Sequence, residues 1–268
     1  MTAVAGVAAA VANNALGSLG LAPNLKIVPL RIGWYQYVEE TGACKVKYDI
    51  TSIANAVKYV AAVGGRVSSM SWNFGFQPEP DFEEAYEVAA EAGVMSFNSA
   101  GNNHLGRVAV PGDLPTVHAI SAIDSTGARM FVRSGWGSNI GDDVAFSGPG
   151  RYIPTTDVTG DFGFSEVETI PNYGNDFVSV TGTSYACPLV AVVAAVTFIL
   201  QPSWGPDEVF EAMKKCAKDL GDPGWDPVNG FGLATAGCTW EYAVSSIFSD
   251  GFELGTTSRW SVVSGGTP

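Results

Sequence analysis

Apolar positions along this chain fall into two periods. Ile53, Ala54, Val57 and Val60 recur at helical spacing, which predicts a helix over Ile50 to Ala62, ended by Gly64-Gly65. Asp81 to Ala92 is predicted as a second helix, with acidic residues in its first turn and Gly93 beyond its end. Asp207 to Ala217 is a third, amphipathic and preceded by the start signal Pro206. Short apolar runs between them predict strands: Lys26 to Leu30 after the turn Ala22-Pro23-Asn24, Val67 to Ser71, Val94 to Asn98 and Thr116 to Ala122. Two runs have no polar face. Met1 to Ala12, built of small residues, reads as a buried helix whose beginning is missing, and Leu189 to Leu200 as a buried core helix. Strands alternating with helices predict an α/β fold, a mainly parallel sheet flanked by helices on both faces. Ligands in such folds bind beyond the carboxyl ends of the strands. Ser71 and Asn102 both follow strands, so they are placed to share one crevice with Ser184.

The length, 268 residues, suits one large domain. Its predicted extent is residues 1–243, with residues 244–268, rich in Ser, Gly and Thr, as a tail or the start of a further module. A net charge of −13 without a basic stripe argues against nucleic acid as a partner. Membrane insertion is not predicted either. Leu189 to Leu200 is shorter than the roughly 20 residues a span needs, and Met1 to Ala12 lacks the basic start of a signal peptide. Cys44, Cys187, Cys216 and Cys238 form no CxxC pair, so no zinc site is expected. Cys187 reads as a small core residue, and Cys216 and Cys238 are candidates for a disulfide whose geometry the sequence leaves open.

The segment with most chemistry is Gly182-Thr183-Ser184-Tyr185-Ala186-Cys187-Pro188, which opens the long apolar run. A serine at a helix start sits among N–H groups without partners, at the positive end of the helix dipole. That environment suits a nucleophile whose attack creates negative charge. Gly182 permits close backbone approach, and Pro188 is tolerable near a helix start, where its missing N–H has no partner to lose.

This segment resembles the active-serine motif of the subtilisin-like serine proteases, the subtilases (peptidase S8 family). Further segments from about Thr2 to Ala243 resemble the same family in the same order. Thr2-Ala3-Val4-Ala5-Gly6, then Asn13-Asn14 and Gly20-Leu21-Ala22-Pro23, is similar to the helix after the catalytic histidine and its loop. Ser69-Met70-Ser71-Trp72-Asn73 is similar to the wall that pairs with extended substrate. Ser99-Ala100-Gly101-Asn102 is similar to the oxyanion segment, followed by Val110-Pro111-Gly112 and Val117-His118-Ala119-Ile120. Ser147-Gly148-Pro149-Gly150 and Asn229-Gly230-Phe231-Gly232-Leu233 match the flanks of the serine motif.

The resemblance implies a three-layer subtilisin-like fold, N-terminally incomplete, and a serine endopeptidase acting through a Ser184 acyl-enzyme with Asn102 as oxyanion donor. It implies substrate contacts at Ser71, Trp72, Asn73, Ser99, Ala100, Gly101 and Thr183, a polypeptide substrate or inhibitor as partner, and an extracellular setting. It also implies a structural calcium ion near Asn14, for which an ordinary Asn-rich turn is the alternative. Asn73 and Phe74 stand where the family commonly has glycines, which argues against an open, deep specificity pocket. Trp34, Tyr35 and Tyr37, in the loop Gly33 to Cys44, are expected to favour apolar substrate side chains. The tail, Asp250-Gly251-Phe252-Glu253-Leu254-Gly255 with Arg259-Trp260-Ser261, looks like C-terminal segments of secreted bacterial proteins.

Serine needs a base, and the base an orienting group. The resemblance places both family residues, the aspartate and the histidine, ahead of Met1. The only histidines are His104 and His118. His118 lies in a predicted buried strand, and His104 follows the oxyanion segment on a loop, so neither is assigned as the base. The chain alone is therefore expected to be nearly inert, poorly soluble because of an exposed sheet edge, and open to a rival reading as a pseudoprotease that binds extended peptides. A structural module attached through the tail is a third reading.

Overall fold

The computed structural model describes residues 2–39, 43–75, 80–160, 163–164 and 176–249. In chain order the elements are α1 (Thr2–Ala9), β1 (Gly33–Val38), β2 (Ala43–Tyr48), α2 (Ile50–Ala62), β3 (Val67–Met70), α3 (Pro80–Glu91), β4 (Met95–Ser99) and β5 (Val117–Ile123). They continue with β6 (Phe131–Arg133), β7 (Trp136–Gly137), β8 (Val144–Pro149), β9 (Ile153–Thr156), β10 (Phe177–Val180), α4 (Thr183–Leu200), α5 (Pro206–Cys216) and α6 (Ala236–Ser249). The predicted α/β class is what forms. A parallel sheet of order β3-β4-β5-β8 is the central layer.

Two apolar layers sandwich that sheet because β4 alternates. Met95 and Phe97 point toward α4 and α5, where they pack with Ile120, Phe146, Val190, Ala194, Val209 and Met213. On the other face Ile53, Val57, Phe82 and Tyr86 of α2 and α3 pack around Val94 and Val117. At roughly 25 cal/mol per Å² of apolar area, these two clusters supply most of the drive for folding. Asp49 caps α2 by accepting from Ser52 N at 2.8 Å. α5 carries Asp207 and Glu208 in its first turn and Lys214 and Lys215 in its last, the arrangement a helix dipole favours.

α4 is the one helix among the described residues long and apolar enough to cross a membrane, and 67% of it is buried, as a core helix is. It touches β3, β4, β5 and β8.

Four sequence readings change. Lys26 to Leu30 forms no strand: a strand is defined by its ladder, and this segment, with Val28 exposed, pairs with none. The apolar helix begins at Thr183, six residues before Leu189. The first helix closes at Ala9, short of Ala12. The last helix runs through the expected boundary at Ala243, which is fully buried, and on to Ser249. A disulfide joins Cys216 to Cys238, tying α5 to α6 with a Cα–Cα distance of 5.5 Å. The tail segment Asp250 to Ser261 lies outside the described residues.

Candidate active site

Ser184 is the second residue of α4, and three segments meet around it. Gly182, at φ 150°, makes the turn into the helix in a conformation that disfavours side chains. Its N–H donates to Gly150 O at 2.7 Å, which anchors the turn to the end of β8.

Ser71, just past β3, forms one flank. Its hydroxyl donates to Ser184 O at 2.6 Å, and the Ser184 hydroxyl in turn donates to Ser71 O at 3.4 Å. Pro188 explains the first bond. In an α-helix the carbonyl of residue 184 would accept from the N–H of residue 188. Proline has none, so the carbonyl is released, and Ser71 takes it. Because the helix starts at Thr183, Pro188 lies beyond the first turn, where the missing N–H costs a bond. The sequence reading of Pro188 as cost-free is corrected accordingly.

Asn102, beyond β4, forms the opposite flank. Its Oδ1 accepts from Thr183 N at 2.9 Å and from Thr183 Oγ1 at 3.0 Å. An N–H can only donate, so this bond fixes which end of the carboxamide is oxygen and leaves Nδ2 as the donor. The Tyr185 N–H is used by Gly182 O at 3.1 Å. Among the described residues, Asn102 Nδ2 and the Ser184 N–H find no acceptor. Two free donors beside a serine hydroxyl form a receptor for an oxyanion.

The predicted substrate contacts divide. Thr183, Ser99 and Ala100 are each 0% exposed, so none of their side chains faces a substrate. Thr183 acts on Asn102 instead, and its hydroxyl also accepts from Gly101 N at 3.3 Å. The backbone of the oxyanion segment is consumed internally. Ser99 O accepts from Asn73 Nδ2 at 2.7 Å, Ala100 O from Asn139 Nδ2 at 3.1 Å, and Gly101 O from Asn139 N at 2.8 Å. Gly101 sits at φ 106°, with Asn139 where a Cβ would go. The Ser71–Asn73 side remains for an extended chain. Trp72 packs edge-on against Tyr48 at 4.5 Å between ring centroids, which joins this flank to the β1–β2 hairpin. On that hairpin Trp34, Tyr35 and Tyr37 are exposed.

Two residues at the site escaped the sequence reading. Asn98 is fully buried; its Nδ2 donates to Met70 O and Trp72 O, each at 3.0 Å, while Asn73 Nδ2 donates to its Oδ1 at 3.1 Å. Asn139, also fully buried, accepts at Oδ1 from Asn103 N and Leu105 N, each at 3.0 Å. The signal for Asn98 was a carboxamide in a strand that otherwise holds only apolar residues and serine. No local pattern marks Asn139.

Neither histidine serves Ser184. His118 lies in β5 with its ring stacked on Phe210 at 4.9 Å and close to Phe97, and burial pushes its pKa down to about 4. His104 packs against Phe131 at 4.9 Å. Its Nδ1 is buried without a hydrogen bond, and its φ is 57°. Cys187 is buried, its thiol pushed up to about 12 by desolvation, which removes it as a nucleophile. Asn14 Oδ1 accepts from Leu16 N at 3.0 Å, an Asx-type turn. Among the described residues no three His, Cys, Asp or Glu side chains gather as metal ligands. A calcium ion also takes carbonyl oxygens of the backbone and of Asn side chains, the donor type Asn14 offers.

A helix-start serine with paired free donors thus stands at the carboxyl ends of a parallel sheet between two helical layers, an α/β domain with a candidate nucleophile at its crevice. The subtilase family model matches residues 2–232, and the chain belongs to that family. Fervidolysin of Fervidobacterium pennivorans is 30% identical over 244 residues, covering 87% of this chain and 33% of that protein. Its crystal structure superposes with a TM-score of 0.72 over 89% of this chain and 35% of that one. Alkaline elastase YaB of a Bacillus species is 28% identical over 82% of this chain and 50% of its own length. A protease structure from Pseudoalteromonas arctica, 23% identical, shares the fold with a TM-score of 0.73 over 90% of this chain and 70% of that one. The chain thus spans about half the length, or less, of the curated relatives it matches first.

Proposed function

We propose that this chain carries the nucleophile and oxyanion half of a serine endopeptidase site. The observation that supports it is the pair of free donors, Asn102 Nδ2 and Ser184 N–H, next to the Ser184 hydroxyl. Attack by Ser184 on a peptide carbonyl moves charge to the carbonyl oxygen, where both donors meet it. Collapse releases the amine and leaves an acyl-enzyme for water to hydrolyse. The proton of Ser184 must go to a base, and neither His104 nor His118 is placed to take it. By itself the chain is therefore nearly inert. In subtilisin, loss of the histidine alone lowers kcat by roughly 10⁶.

Polypeptides are the partner this crevice suits, substrate or inhibitor alike, and the acidic surface gives nucleic acid no footing. The Cys216–Cys238 disulfide supports an extracellular setting. The calcium reading rests on the side-chain oxygen of Asn14, a hard ligand of the kind calcium takes.

The second reading is a non-catalytic cleft that holds extended peptides, and the placement of His104 and His118 away from Ser184 is compatible with it. One experiment separates the two. The chain and its Ser184→Ala variant are incubated with a peptide substrate, with and without free imidazole. Slow turnover that imidazole raises and Ser184→Ala abolishes supports the peptidase reading. Peptide binding without any Ser184-dependent turnover supports the pseudoprotease.

A further inference from the structure

The crevice on either side of Ser184 has an obstruction that its neighbours do not require. The exits of β3 and β4 run side by side, in parallel register from Val67 with Met95 to Met70 with Asn98. Ser71 and Asn102 continue these exits and flank Ser184. A substrate carbonyl held at Ser184 by Asn102 therefore has its acyl side over the gap between residues 71–73 and 99–101. Within the described residues the backbone of the second segment is fully engaged, whereas the backbone N–H and carbonyl of Asn73 pair with nothing. An extended peptide is thereby directed along Asn73.

The Asn73 side chain crosses that gap. Its Nδ2 reaches over to Ser99 O at 2.7 Å and to Asn98 Oδ1 at 3.1 Å. Both acceptors belong to fully buried residues, so the bridge is shielded from water at its far end. Asn98 is itself held by two bonds to the β3 exit, so it cannot swing away to make room. Phe74 behind the bridge is wedged among Trp72, Phe82 and Tyr48, with ring centroids 4.6 to 5.1 Å away. Any side chain descending between the two exits meets the carboxamide first.

We propose that Asn73 is a specificity-determining residue that closes this gap, so that the residue on the acyl side of the scissile bond must be small, alanine or glycine in size. Large apolar side chains are excluded because entry would break two hydrogen bonds and leave Ser99 O and Asn98 Oδ1 buried without donors. The inference rests on the peptide-cleft reading given above, and its test keeps the two apart.

Two peptide aldehydes of identical sequence, one ending in alaninal and one in phenylalaninal, are titrated into the intact chain by calorimetry. The same pair is titrated into Asn73→Gly and Asn73→Ala, each checked for folding by circular dichroism. The expected result is a preference for alaninal in the unmodified chain. In both variants that preference shifts toward phenylalaninal by about tenfold or more, the scale at which an apolar pocket discriminates size. Equal or tighter binding of phenylalaninal by the unmodified chain overturns the proposal while leaving the cleft reading in place. Binding of neither aldehyde overturns the cleft reading and the proposal with it. If both variants fail to fold, the comparison within the unmodified chain still decides.

Discussion

Thr183 shows how much at this site is done by residues a substrate never touches. Its amide and hydroxyl both engage Asn102 Oδ1, so that the opposite end of the carboxamide is presented as a donor. Thr183→Val keeps the amide bond and removes the hydroxyl. In a preparation made active by a supplied base, kcat is expected to fall about fivefold with KM unchanged. That is the size of one hydrogen bond of about 1 kcal/mol. Asn102→Ala is expected to cost about 10²–10³ in kcat, the loss seen for such a donor in subtilisin itself. His118 gives a prediction in pH. Its folded pKa, about 4, lies below the ordinary 6.5, so the unfolded chain binds the extra proton first. The stabilisation is therefore complete above about pH 6.5 and is lost as pH falls toward 4. His118→Phe is expected to flatten the denaturation midpoint across that window in urea titrations.

At the level of elements, α4 and the β3 exit are coupled through the break that Pro188 makes. With Ser71→Ala the Ser184 carbonyl loses that donor, and a loss of about 1 kcal/mol is expected for one hydrogen bond at a part-buried acceptor. Pro188→Ala restores a helical donor to the same carbonyl. The double variant should therefore be less destabilised than the sum of the singles, a coupling that urea unfolding of the four proteins measures directly. The same region shows what the sequence disclosed. The helices at Ile50, Pro80 and Pro206 and the strands of the parallel sheet were legible because their apolar periods and caps are local. The meeting of Ser184, Asn102 and Ser71 in one crevice was legible because each follows a strand or opens a helix in the sequence pattern. The burial of Thr183, Ser99 and Ala100, expected as substrate contacts, was not legible, because burial depends on what packs from far along the chain. Asn139 was missed for the same reason, since its partners Ala100, Asn103 and Leu105 are more than thirty residues away. Lys26 to Leu30 was read as a strand on its own apolarity, whereas a strand exists only with a neighbour.

For the molecule as a whole, the Cys216–Cys238 bridge closes a loop of 22 residues and pins the last helix to the core. Chain-entropy arguments give such a loop about 3 kcal/mol. Reduction is expected to lower the melting temperature correspondingly, with α6 the first element to lose protection in hydrogen exchange. Few ion pairs offset the acidic balance: among the described residues only Lys58–Glu84 and Lys214–Glu211 approach within salt-bridge distance, both at exposed positions. Stability therefore rests on the two apolar layers and on buried carboxamides.

The separations along the chain also impose an order in time. Ser184 meets Ser71 across 113 residues and Asn102 meets Thr183 across 81. At about 5–20 residues per second of synthesis, roughly 6–23 s pass between the emergence of Ser71 and that of Ser184. The nucleophile leaves the ribosome after both of its flanks have been made. During biogenesis the reactive position is thus the latecomer, and no shorter fragment ending before α4 holds any part of the oxyanion receptor except Asn102.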